Sequence, residues 1–245
     1  MKGLNYRKSV GWLSTGNGEG SLGLLKKGIE LVNNESIDIK YVFLNREIGE
    51  KKGSDEYINY AKNNNVPVIS YSSQKYKKRK GSEWKDLRIN YDKEVLNKIS
   101  NYQVDFIVAA GYMLFSPEIC KHHKIINIHP ALPDGPDGTW KNVILELIKS
   151  KSSYSGVSIH IMTPELDSGP TLSFVRFPIK HKGLLRYWDE IENIDDQIIN
   201  SNLFKKIREI IIINERLLLK ETLHMLSTNQ LQIENPVETD LSINI

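Results

Sequence analysis

The chain has 245 residues, 40% hydrophobic and 26% charged, with a formal net charge of +3. That profile excludes a disordered or fibrous chain, and the modest charge gives no surface-wide attraction for nucleic acid. No run of about 18 apolar residues is present to form a membrane-spanning helix, and the single cysteine, Cys120, excludes an internal disulfide and fits a reducing compartment.

The residues up to Gly18 reach a strand and a glycine loop without an apolar leader, so the expected location is the cytoplasm. Ser9–Ser14, Ile37–Asn45, Val66–Ser72 and Val104–Tyr112 are short, rich in β-branched and aromatic residues, and bounded by polar or glycine breaks; each predicts a strand. Between them Ser21–Asn34, Ser54–Asn65 and Tyr91–Ser100 carry apolar residues at helical spacing, with Ser54 and Asp55 as candidate caps. The basic run KYKKRK, Lys75–Lys80, follows the third strand and reads as a solvated loop, or as a clamp for an anionic substrate. Lys124–Pro130 then predicts a strand, Thr139–Ser150 a helix, and Ser155–Met162 and Thr171–Ile179 two strands about the turn-rich TPELDSGP. Leu203–Leu226 predicts a terminal helix, although Ile210–Ile213 alone would suit a strand equally. Asn193–Asn202 and the last dozen residues read as loop and polar tail.

This alternation predicts an α/β protein: an open, mostly parallel Rossmann-like sheet with helices on both faces. Residues 1–180 are expected to form one domain, with 181–230 an insertion and helical segment packed on it and 231–245 a tail.

The segment IINIHPALPDGPDGTW, Ile125–Trp140, carries the chemistry. In an open α/β sheet, ligands bind beyond the carboxyl ends of the strands. Asn127 and His129 lie two apart, so both project from one face at such an end. Asp167 follows in a Leu-Asp-Ser-Gly turn. An amide, an imidazole and a carboxylate suffice for acyl transfer: one polarises a carbonyl, one stabilises an oxyanion and one moves protons. Read blandly, Asn-x-His is a structural pair, Asp-Ser-Gly is turn chemistry, and His160 is a core histidine on a strand.

With NIHPALP (Asn127–Pro133), LDSGP (Leu166–Pro170), AAGYM (Ala109–Met113) and STGNGEGSL (Ser14–Leu22), the chain resembles the formyltetrahydrofolate-dependent formyltransferase family, above all its branch acting on phosphoribosylglycinamide (GAR) in purine synthesis. The resemblance runs from about Ser9 to Ile179 and implies a catalytic set of Asn127, His129 and Asp167, with 10-formyltetrahydrofolate as co-substrate and no metal. It further implies pterin contacts from Ala110, Gly111, Tyr112, Met113, Leu166 and His160. Gly16, Asn17, Gly18, Gly20 and Ser21 would cradle the acceptor's phosphate, with Lys77, Lys78 and Arg79 as a candidate clamp. The partners implied are small molecules, with no nucleic acid or membrane, and a homodimer is left open.

Three departures stand out from the family pattern. The glycine loop is longer and carries Glu19. The Arg and one further residue that usually follow the aromatic-Met pair are absent after Met113. DGPDGTW replaces a basic loop. These bear on the acceptor more than on the folate chemistry. An amino-sugar nucleotide is therefore an alternative acceptor, and a non-catalytic folate- or anion-binding module is an alternative from another class. Methionyl-tRNA ranks last because that branch usually carries an extra C-terminal barrel, and a formyltetrahydrofolate hydrolase usually adds an N-terminal regulatory domain.

Overall fold

A computed structural model describes residues 7–34, 36–165, 169–191 and 198–242. In chain order the elements are β1 (Lys8–Ser14), α1 (Glu19–Asn33), β2 (Ile37–Leu44), α2 (Lys52–Asn63), β3 (Val68–Ser70), α3 (Ser73–Lys80), α4 (Trp84–Ile99) and β4 (Phe106–Ala109). There follow α5 (Pro117–His122), β5 (Ile125–His129), α6 (Trp140–Lys149), β6 (Tyr154–Ile161), β7 (Thr171–Pro178), α7 (Leu185–Ile191), a 3-10 turn (Ile198–Asn200), α8 (Asn202–Ser227) and β8 (Thr239–Asp240). They build one eight-stranded sheet in the order β3-β2-β1-β4-β5-β6-β7-β8. Strands β1 to β5 pair in parallel, β6 runs antiparallel to both β5 and β7, and β8 joins β7 in parallel. The α/β class with a mostly parallel, helix-covered sheet is thus present.

Both faces of the sheet are buried, which is why the second half of β2, Tyr41–Leu44, and all of β4 read as continuous apolar runs. Trp12, Val42, Val108 and Ile126 point into a core shared with α1, α2, α6 and α8. Their chain neighbours Leu13, Phe43, Ile107 and Ile125 point into a second core with α3, α4 and α5. Strand order reverses between β1 and β4, leaving a crevice at their carboxyl ends, where ligands settle in such sheets.

Several local expectations are corrected. The basic run is helical: Ser72 Oγ accepts from Lys75 N, Tyr76 is buried, and Gly81 ends α3 in the left-handed region. A capping serine and a terminal glycine outweigh the mutual repulsion of the cations. Ser54 and Asp55 do not cap α2, which starts earlier at Lys52; Ser54 Oγ donates to Lys51 O, and Asp55 accepts from Gly49 N. The expected terminal helix, by contrast, is present and takes in Ile210–Ile213, since Ser201 caps a 26-residue α8 whose buried face runs through Phe204, Ile207, Ile211 and Leu218. Thr239 and Asp240, expected in an irregular tail, extend the sheet beside Ser173 and Phe174. No helix among the described residues is long and apolar enough to cross a membrane.

Candidate active site

A cavity of about 470 Å³ opens at the crevice. Its floor is β5: Asn127 and His129 both line it, as their spacing on the strand requires, while Ile128 turns mostly into the core. β6 pairs antiparallel with β5, setting His160 opposite Asn127 and Ser158 opposite His129. Asn127 Nδ2 and His160 Nε2 are 3.4 Å apart, and the His129 and His160 rings meet edge to face with centroids 6.3 Å apart. His160 therefore belongs to the cavity wall. His129 Nε2 lies 3.1 Å from Pro136 O. A backbone carbonyl only accepts, so Nε2 carries a proton and the loop Ala131–Thr139 fixes the ring.

One side wall is the turn after β4. Gly111, Tyr112 and Met113 line the cavity, with Leu114, Phe115 and Met162 beside them. Gly111 takes φ +69°, and the turn is tied to β1 by Thr15 N donating to Gly111 O (3.0 Å) and Met113 N donating to Thr15 Oγ1 (3.0 Å). Met113 is half exposed and offers apolar surface. The Tyr112 ring instead sits in the second core, edge-on to Phe43, and burial raises its phenol pKa. Ala110 is fully buried and outside the lining, its carbonyl accepting from Ser14 Oγ. Of the expected pterin contacts, Gly111 and Met113 are the best presented. Leu166 and Asp167 lie outside the described residues; Glu165 and Gly169 line the cavity.

A second wall, adjoining the first at Gly111 and Ser21, is the first turn of α1 and the inner face of α8. Asn17, Gly20 and Ser21 line the cavity, whereas Gly16 and Gly18 shape the loop with positive φ and lie outside the lining. Gly20 and Ser21 belong to the helix rather than the loop. From α8 come two charged residues the sequence reading missed. Glu215 is almost fully buried, and its carboxyl is held above the usual range by burial, against the pull of Arg208, Arg216 and His129. Arg208 Nη1 stands 3.4 and 3.5 Å from the Glu215 oxygens, and its guanidinium lies 4.5 Å over the Trp140 ring. Nothing local in the sequence marks this pair, because only the packing of α8 on α1 and β6 aims it inward.

Lys77 and Lys78 line a separate groove between α3 and α4, which meets the main cavity at Leu114. Arg79 donates to Tyr71 Oη. These cations sit over the second core, across the sheet from α8. Among the described residues, no group of three or more His, Cys, Asp or Glu side chains could hold a metal ion.

A switch-point cavity floored by an amide and two imidazoles, and flanked by an apolar turn and a charged helix face, has the form of a small-molecule site in an α/β protein. Residues 26–190 match the family model described as Formyl transferase, and the chain belongs to that family. The chain is similar to phosphoribosylglycinamide formyltransferase of Escherichia coli (strain K12), 32% identical over 97 residues that cover 38% of this chain and 45% of the relative. It is also similar to methionyl-tRNA formyltransferase of Campylobacter jejuni, 31% identical over 119 residues, covering 47% of this chain and 38% of that protein. The chain thus spans about half the length of the curated relatives it matches. In fold it is similar to glycinamide ribonucleotide transformylase 1 from Geobacillus kaustophilus, with TM-score 0.65, 22% identity, and coverage of 90% of this chain and 99% of that one.

Proposed function

We propose that this chain transfers a formyl group from 10-formyltetrahydrofolate to the primary amine of a small phosphorylated acceptor, with 5'-phosphoribosylglycinamide as the first candidate. The supporting observation is the placement of Asn127 and His129 on the cavity floor, between an apolar turn suited to a pterin and a polar helix face suited to an acceptor. The amine lone pair attacks the formyl carbon while Asn127 Nδ2 donates to the formyl oxygen. His129, fixed through Nε2, stabilises the oxyanion with its remaining nitrogen when the ring is protonated. Collapse re-forms the carbonyl and breaks the bond to N10 of the folate, and the amine proton passes to N10. Asp167 is the group assigned to that relay, through water. The flat pterin would lie against Gly111 and Met113, with His160 at its edge, and the first turn of α1 would face the acceptor.

The test is direct. Incubate the protein with 10-formyltetrahydrofolate and GAR and follow folate absorbance. Turnover supports the reading; turnover with an amino-sugar nucleotide alone moves the acceptor; folate binding without transfer to any amine refutes it.

A further inference from the structure

We propose that Arg208 is the cation that receives the acceptor's anionic group, and that it makes the cavity selective for amines carrying a phosphate monoester. The assignment of that ligand to an acceptor rests on the formyl-transfer reading. The anion site itself does not.

The first turn of α1 presents backbone N–H groups and a partial charge of about half a unit. It also carries Glu19, so a dianion there needs a full positive charge close by. The basic helix α3 stands on the other face of the sheet, over a different groove. Lys51 reaches the loop before α1, where its ammonium is taken up by Asn17 Oδ1; the cations over the first turn itself come from α8, and α1 is shaped to receive them. A Cβ on Gly20 would lie 2.7 Å from Arg208 Nη2, and one on Gly23 would lie 2.2 Å from Arg216 Nε. Positions three apart share a helix face, so these two glycines open adjacent berths for two guanidinium groups.

The two arginines divide the work. Arg216 Nη2 approaches Glu19 Oε1 at 3.5 Å and answers the carboxylate that would repel an anion. Arg208 lines the cavity and is held over the Trp140 ring, with Glu215 reaching Nη1. At 3.4 and 3.5 Å those contacts are long for a charge-assisted hydrogen bond, which settles near 2.8 Å when fully made. Nη2, over Gly20, makes no hydrogen bond among the described residues. The guanidinium is therefore positioned and partly desolvated, with donor capacity unspent on the cavity side. Its planar fork matches two phosphate oxygens, as a lysine point charge would not. Arg208 thus takes the place that the sequence alone offered to Lys77, Lys78 and Arg79.

The experiment is calorimetric titration with ribose 5-phosphate, as a probe that needs no turnover, alongside GAR kinetics. The parent should bind the probe, and Arg208→Gln should weaken binding at least about tenfold, the scale of one charge-assisted contact. Arg208→Lys should fall between the two, and the triple Lys77→Gln, Lys78→Gln, Arg79→Gln protein should match the parent. In turnover, Arg208→Gln should raise KM for GAR and leave KM for the folate unchanged. If Arg208→Gln does not fold, Gly20→Ala gives an independent test, because its methyl displaces the same Nη2 and should weaken the probe similarly. Parental affinity in a folded Arg208→Gln protein, or a folded parent that ignores the probe, overturns the proposal. A parent that binds the probe through Arg208 yet does not formylate GAR supports the anion site and refutes the proposed acceptor.

Discussion

Replacing Gly111 by alanine should cost far more than the same change at Gly81, although both residues have nearly the same backbone. Gly111 has φ +69° and Gly81 has φ +66°. An L side chain in that left-handed region costs about 1–2 kcal/mol at either site. The loss of unfolded-chain freedom, which favours alanine, is also common to both. They differ in surroundings. A Cβ at Gly81 meets nothing within 4 Å, whereas one at Gly111 lies 2.9 Å from Ser21 Cβ and 3.6 Å from Ser21 Cα. Those atoms belong to the first turn of α1 and cannot swing away as a long side chain would, so an overpacking cost of about 1–3 kcal/mol is added at Gly111 alone. Urea unfolding should place Gly111→Ala about 1–3 kcal/mol below Gly81→Ala. The structural consequence reaches the site, because Gly111 and Ser21 face each other from the two walls of the cavity. Gly111→Ala should lower turnover, and Gly81→Ala should not. Equal stability losses, within about 0.5 kcal/mol, would refute the close approach of β4's turn to α1.

Asn127→Ala removes the proposed donor to the developing oxyanion and should lower kcat by about 10²–10³ with little change in stability, read by turnover and thermal melting. Burial raises the Asp92 carboxyl to about 6 despite the nearby Arg88. The folded protein therefore holds that proton more tightly than the unfolded chain, and stability falls as pH rises from about 4 to 6. The stability difference, parent minus Asp92→Asn, should drop by up to about 3 kcal/mol across that window, and a flat difference would contradict the burial argument. The Cys120 thiol is pushed up to about 11 by burial, so alkylation at pH 8 should be slow until denaturant is added; prompt labelling of the native protein would count against its position.

The strands were legible because a doubly covered parallel sheet needs apolar residues at every position, and YVFL and FIVA supply them. Asn127 and His129 were legible because period two puts them on one face of any strand. The helix α3 was not read from its cations, yet Ser72 and Gly81 at its two ends carried the information. Arg208 and Glu215 were illegible for a different reason. They sit on a long amphipathic helix whose inner face is defined only by what it packs against, and their partners Gly20, Trp140 and His129 are remote in sequence. Gly20 read as part of a phosphate loop and Gly23 fell unremarked inside a predicted helix, and the arginines across from them account for the missing side chains.

The most direct test is single-turnover formyl transfer to GAR by the parent and by Asp167→Asn, with folding checked by circular dichroism. We expect transfer by the parent and a rate at least about a hundredfold lower in a folded variant, as the proposed assignment of the amine-to-N10 proton relay to Asp167 requires. Near-parental transfer by a folded Asp167→Asn protein would contradict it.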